Sequence, residues 1–162
     1  MMNGYLYWNN MNSKVILYTD GAYSRLRDVG SYGFIAQYLI YNKQHELYEL
    51  KKEASFSKRI EGTTNNRMEL LAAIEGINFV KKPSHIEVIS DATYVVNTIN
   101  IWLEKFVKDP NRLNGDLMKE LHQAVKKHKS VKGVWVRGHN NHIPNERINE
   151  LVQREAGTWK GR

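Results

Sequence analysis

Along the first third of the chain, apolar and polar positions alternate; further on they fall at helical spacing. Residues 14–20, KVILYTD, form a short β-rich run. Ile16, Tyr18 and Asp20 share one face of it, because alternate side chains of a strand point the same way. Gly21 is expected to break this strand, with a loop running on to Gly30. Residues 32–42 and 45–55, rich in Tyr, Leu and Ile, read as two further strands with Asn42 and Lys43 at the turn between them. Three strands with short turns predict an antiparallel meander.

From Thr64 to about Val80 the spacing becomes helical. Leu70, Ala73, Ile74 and Ile77 make one apolar stripe, and Thr63 or Thr64 can cap its start. Beside it runs a row of small residues headed by a carboxylate: Glu69, Ala72, Ala73 and Gly76. Such a row suits close approach of a helix to a sheet. Residues 86–91, IEVISD, read as a strand ending in Asp91. Val95, Ile99, Trp102, Leu103 and Phe106 mark a following helix, and Leu117, Met118, Leu121 and Val125 another. Residues 131–137 form the fifth strand, 138–144 a loop, and Ile148, Leu151 and Val152 a last helix. The order βββ-α-β-αα-β-α predicts an α/β domain with a five-stranded mixed sheet flanked by helices. It spans residues 14–157, between an N-terminal tail (1–13) and a C-terminal tail (158–162).

Composition narrows the class. Of 162 residues, 41% are hydrophobic and 25% charged. These values are those of a soluble globular chain, which excludes wholesale disorder. Lys and Arg outnumber Asp and Glu by 24 to 17, a net charge of +7 that attracts polyanions, nucleic acid first among them. There is no cysteine, so disulfides, thiolate metal sites and a cysteine nucleophile are excluded, and a cytoplasmic location fits. No apolar run approaches the roughly 18 residues of a membrane span. The start, MMNGYLYWNNMN, lacks the basic and apolar regions of a signal peptide. A monomer is expected.

The chemistry lies in the carboxylates. Asp20 and Asp91 end two short strands, and Glu69 sits near the start of a helix. If those strands are neighbours, all three converge at one sheet edge. Three carboxylates so close repel one another unless cations lie between them, and such oxygen ligands suit Mg²⁺ or Mn²⁺. Any one of the three alone would read as a turn residue or a helix-dipole partner. Together they suggest a phosphodiester-cleaving site.

Four segments carry a family resemblance: TDGA at 19–22, TTNNRMELLAAI at 63–74, SDATYVV at 90–96 and RGHNNHIPNERINEL at 137–151. In that order and spacing they resemble ribonuclease H of type 1, over residues 14–156. The resemblance implies the ribonuclease H fold. It also implies an endonuclease that hydrolyses the RNA strand of an RNA/DNA hybrid, leaving 5′-phosphate and 3′-hydroxyl ends. The family uses four acidic residues and two divalent ions. Three carry over as Asp20, Glu69 and Asp91. One ion would be held by Asp20 with position 149, the other by Asp20, Glu69 and Asp91.

The fourth carboxylate falls on Asn149, where the family pattern calls for Asp. Asn keeps a carbonyl oxygen but loses the charge. Weakened binding of one ion and a slower enzyme are expected. Two explanations fit: an engineered Asp→Asn change that lets hybrid bind uncut, favoured by the intact remainder of the site, or a natural Asn in a slow or differently metallated enzyme.

By the same resemblance, His139 moves protons at the leaving group, and His142 is structural. Asn65 and Asn66 face the hybrid's minor groove, where the 2′-hydroxyl is read, and Gly21 also contacts the nucleic acid. Thr64 lines a phosphate pocket for the DNA strand, and Phe106 packs on the DNA backbone. Trp102 is expected in the core and Arg67 in a structural role. Further phosphate contacts are expected from Lys51, Lys52, Lys58, Arg59 and the basic cluster at 126–132, because the stretch from Glu104 to Asn114 holds only Lys105, Lys108 and Arg112. Competing readings are another nuclease of the same superfamily, a catalytically dead hybrid-binding module, and a domain cut from a polyprotein; a chain starting at Met1 favours a stand-alone protein over the last.

Overall fold

The computed structural model describes residues 12–138 and 143–161. Strand β1 (Ser13–Ser24) pairs antiparallel with β2 (Val29–Asn42), which pairs antiparallel with β3 (Leu47–Glu61). Helix α1 (Asn65–Phe79) leads to β4 (His85–Ser90), parallel to β1. There follow α2 (Thr93–Asn97), a π turn at Thr98–Trp102, α3 (Leu103–Phe106) and α4 (Gly115–Lys126). Strand β5 (Ser130–Trp135) runs parallel to β4, and α5 (Ile143–Ala156) follows. The sheet order is β3-β2-β1-β4-β5, five-stranded and mixed, as the sequence predicts.

Each face of the sheet carries its own apolar layer. On one, Val15, Leu17, Phe34, Ile86 and Val88 pack against Leu70, Ala73, Ile74 and Ile77 of α1 and Leu117, Met118 and Leu121 of α4. On the other, Tyr18, Ile35 and Ile89 pack against Ile148 and Val152 of α5. The apolar stripe read from α1 is therefore its core face. Its row of small residues is buried as well: Ala72, Ala73 and Gly76 lie against the sheet. Thr64 caps the helix, its hydroxyl accepting from the Arg67 N–H at 3.3 Å. Arg67 is structural, forking onto Asp116 at 3.0 and 2.7 Å and tying α1 to α4.

Two elements differ from expectation. Gly21 does not end β1; the strand runs on to Ser24, with Gly21 opposite Tyr32. A glycine within a strand can mark close approach of another backbone instead of a break, and here it does. The helix after β4 is not regular but widens into π turns, which sets the Asn100 side chain against the β5 edge. Its amide donates to the Gly133 carbonyl at 2.9 Å, and its carbonyl accepts from the Gly133 N–H at 2.7 Å. That pairing closes part of an open edge strand. Among the described residues, no helix is long and apolar enough to cross a membrane.

Candidate active site

The β1–β4 pairing builds the site. Tyr18 lies beside Ile89, so continuing this parallel register by two residues sets Asp20 level with Asp91. Asp20 lies on the face covered by α5, as its shared parity with Ile16 and Tyr18 predicts. Glu69 comes from α1, on the opposite face. Gly21 lets it reach: a Cβ there would stand 2.6 Å from the Glu69 nitrogen and the Met68 carbonyl carbon. With no side chain in the way, α1 sits on β1 and its carboxylate arrives beside Asp20. The Gly21 N–H donates to Asp20 Oδ1 at 2.9 Å.

One oxygen from each of Asp20, Glu69 and Asp91 lies within 4.8 Å of the other two. Asp20 is 4% and Glu69 5% exposed, so neither charge is relieved by solvent. Burial, then the charge of Asp91, pushes the Asp20 carboxyl up to about 7. Burial, then Asp20 and Asp91, lifts Glu69 well above the usual carboxylate range. Their mutual contact acts oppositely on the two, drawing Asp20 down and lifting Glu69 further. Glu69 Oε2 has no hydrogen-bond partner among the described residues although it is buried. An unpartnered buried carboxylate oxygen beside two further carboxylates is a donor set for a hard divalent cation. These residues fit such an ion.

Asn149 of α5 completes the cluster. Its Nδ2 donates to Asp20 Oδ2 at 2.9 Å, and its Oδ1 accepts from Gln153 Nε2 at 3.1 Å. The donor end of the Asn149 amide thus meets an accepting oxygen of Asp20. Where the sequence pattern calls for a fourth carboxylate, the site holds a donor amide.

Asn65 and Asn66 stand exposed on the first turn of α1, next to the Thr64 cap. Trp102 packs against the core, as expected. Phe106 is 6% exposed. Trp102 lies 5.6 Å from its ring and the Arg112 guanidinium caps it at 3.5 Å. Lys51 and Arg59 are paired with Glu49 and Glu61, at 3.0 and 3.6 Å. His139 and His142 lie outside the described residues.

The RNase H family model matches residues 12–157. The chain belongs to the ribonuclease H family. It is 41% identical over 145 residues to ribonuclease H of Sulfurovum sp. (strain NBC37-1), covering 88% of this chain and 90% of that one. Ribonuclease HI of Campylobacter jejuni (serotype O:2, strain ATCC 700819 / NCTC 11168) is 37% identical over 142 residues, 86% of this chain and 89% of that protein. Among solved structures, LC9-RNase H1, described as a type 1 RNase H with the type 2 active-site motif, superposes with a TM-score of 0.73. It has 25% identity and covers 90% of this chain and 73% of its own. The mixed sheet and flanking helices are thus the ribonuclease H fold.

The structure adds residues that the sequence reading did not single out. Gln153, one helical turn after Asn149, holds its amide; the i, i+4 spacing was a usable signal. Asn145, Glu146 and Trp159 join Asp91, Asn149 and Gln153 around a cleft of about 290 Å³. No periodicity marks Trp159, which lies beyond the last helix.

Proposed function

We propose that this chain is a hybrid-directed endoribonuclease: it hydrolyses the RNA strand of RNA/DNA hybrids and leaves 5′-phosphate and 3′-hydroxyl ends. The observation that carries this reading is the mutual proximity of the Asp20, Glu69 and Asp91 oxygens in a chain of the ribonuclease H family. Asp20, Glu69 and Asp91 would hold divalent cations, Mg²⁺ or Mn²⁺ and two in number, which supply an activated water and stabilise the leaving oxygen. The residues themselves do the rest. Asp20 offers one oxygen to the Gly21 N–H and the other to Asn149, so its carboxylate is fixed in direction. Glu69, carried by α1 across Gly21, sets the second wall. Asp91, just beyond the β4 end, sets the third. His139 takes the role of proton donor to the leaving 3′-oxygen, in keeping with an imidazole pKa near 6.5.

Asn149 weakens this machinery. It adds no charge, and its only ligand oxygen faces Gln153. The Asn65 and Asn66 amides read the minor groove, the Gly21 backbone contacts the nucleic acid, and Thr64 meets a DNA-strand phosphate. Phe106, with the Arg112 guanidinium stacked on its ring, packs on the DNA backbone. The protein acts as a monomer in the cytoplasm.

The Asn149 amide also favours a second reading, a hybrid-binding module with little turnover. One assay decides between them. A labelled RNA/DNA hybrid and the same sequence as duplex DNA are incubated with the chain in Mg²⁺, Mn²⁺ or chelator, and the product ends are mapped. Cation-dependent cutting of the hybrid's RNA strand alone supports the nuclease. Tight hybrid binding without cutting, also after Asn149→Asp, supports the binding module.

A further inference from the structure

The strongest unassigned feature is the cleft beside the carboxylates and the segment that walls it. Helix α5 ends in a backward turn. Gly157 adopts φ +72, a left-handed conformation that favours glycine, and the Thr158 N–H reaches back to the Gln153 carbonyl at 2.9 Å. The Gly157 N–H likewise reaches the Arg154 carbonyl at 3.1 Å. Arg27, in the turn between β1 and β2, donates to the Gly157 carbonyl at 2.8 Å and pins the turn to the sheet. The chain is thereby sent back along α5. Trp159 is half-buried, with the Arg154 guanidinium 5.5 Å from its ring centre. Trp159 and Gly161 then face Asn145, Glu146, Asn149 and Gln153 across the cleft, and Asp91 forms part of the same wall.

We propose that this cleft receives the ribonucleotide adjoining the scissile phosphate, with its base or ribose laid on the Trp159 indole. The inference rests on the ribonuclease H reading above. The cleft shares Asp91 and Asn149 with the carboxylate cluster, so the unit within reach is a neighbour, in the RNA strand, of the phosphate being cut. Its walls select the neutral part of that unit. Glu146 repels a second phosphate, whereas the Asn145 and Gln153 amides and the indole suit a sugar or a base. Asn145 is 5% exposed, and its Oδ1 has no hydrogen-bond partner among the described residues. At about 290 Å³ the cleft falls just short of the usual range of ligand sites, roughly 300 to 1,000 Å³. One nucleotide unit suits that space; a duplex does not.

The experiment uses the full chain and an RNA/DNA hybrid in Ca²⁺, with duplex DNA of the same sequence as reference. Affinity is read by anisotropy for the parent, Trp159→Ala and Trp159→Phe, and thermal melting is followed in parallel. A second arm replaces the RNA uridine next to the mapped cleavage position with 4-thiouridine and locates the photocrosslink by mass spectrometry. Stacking of one base predicts hybrid binding about ten-fold weaker for Trp159→Ala. Trp159→Phe should recover most of that loss, and the crosslink should map to Trp159 or Gly161. Parent-like hybrid affinity in Trp159→Ala, or a crosslink mapping elsewhere, overturns the proposal while leaving the nuclease reading intact. Equal losses in both variants, tracking a fall in melting temperature, also overturn it, because a packing role alone gives that pattern. If the parent shows no preference for hybrid over duplex DNA, the ribonuclease H reading fails, and this proposal with it.

Discussion

Asn149 Nδ2 donates a hydrogen bond to Asp20 Oδ2 at 2.9 Å, across the face where α5 covers β1. A donor amide there has two opposite effects. It relieves a buried carboxylate that Glu69 and Asp91 already crowd, and it withholds a fourth negative charge from any cation. On this basis stability of the cation-free protein should gain and cation affinity should lose. Asn149→Asp should reverse both. Ligand-shell changes at metal sites commonly alter affinity or activity by about 10–100-fold, and hybrid cleavage should rise by at least that order. The same variant should be less stable in chelator, by about 1–3 kcal/mol, since it exchanges a part-buried hydrogen bond for a repulsion. Cleavage rates and chelator melts of the two forms check this; equal low rates in both would remove position 149 as the limiting feature.

Asp20 makes the site sensitive to pH. Its carboxyl is held up to about 7 by burial and by Asp91, against an ordinary value of 3.8. A group raised in this way contributes stability that is fully present below pH 3.8 and lost as pH rises through about 7. Fully integrated, a shift of this size corresponds to about 4 kcal/mol, an order-of-magnitude figure at 1.36 kcal/mol per unit. Asp20→Asn should therefore stabilise the cation-free protein at pH 8 and have little effect near pH 4, while abolishing cleavage. Stabilisation by added Mn²⁺ should follow the opposite course, large at pH 8 and small at pH 5, where protons occupy the carboxylates. Melting series over this pH range, with chelator and with Mn²⁺, measure both. A flat difference between parent and Asp20→Asn would show that Asp20 titrates normally.

Gln153 adds a second restraint on the Asn149 amide, opposite the one made by Asp20. With Nε2 of Gln153 on Asn149 Oδ1 at 3.1 Å, the carbonyl is engaged and the nitrogen faces Asp20. Gln153→Leu removes that restraint, so the carbonyl can turn toward a cation. In the parent it should lower the Mn²⁺ concentration needed for half-maximal stabilisation. In the Asn149→Asp background, where a carboxylate has no amide to orient, the same change should leave that concentration nearly unaltered. Neighbouring residues of one hydrogen-bond network typically couple by about 0.5–3 kcal/mol. A double-mutant cycle on Mn²⁺ affinity reads the coupling, and additive effects would dissolve the link.

The legible and illegible parts of the fold differ in physical origin. Strand parity foretold the side on which Asp20 lies, and the stripe at Leu70, Ala73, Ile74 and Ile77 foretold the core face of α1, because both are periodicities of local backbone geometry. The juxtaposition of Asp20 and Asp91 needed one further fact, that β1 and β4 are neighbours, which only tertiary pairing supplies. Gly21 misled because one residue type serves two purposes: it ends strands, and it also admits a neighbouring backbone. The π turn at Thr98–Trp102 answers to a hydrogen bond with Gly133, more than thirty positions away, and no local pattern announces it. Gln153 and Trp159 escaped notice for a like reason. Their roles arise from what α5 and its backward turn bring together, not from spacing that encodes chemistry.

Gly21 gives the sharpest test of how the site is built. A methyl group there would stand 2.6 Å from backbone atoms of Met68 and Glu69, and backbone cannot swing aside as a side chain can. Gly21→Ala must therefore push α1 away from β1 or distort the strand. Overpacking of this kind typically costs about 1–3 kcal/mol, and the melting temperature should fall accordingly. The functional loss should be larger than the stability loss. Glu69 rides on the helix segment that moves, and a displacement of about 1 Å in a positioned group can cost about 100-fold in rate. The parent's Mn²⁺-induced stabilisation should shrink with it, since one of three cation-facing walls has shifted. Measured below its melting transition, Gly21→Ala should be folded and near inactive on hybrid. A folded variant with parent-like Mn²⁺ response and cleavage would mean that Glu69 does not need this close contact to reach Asp20.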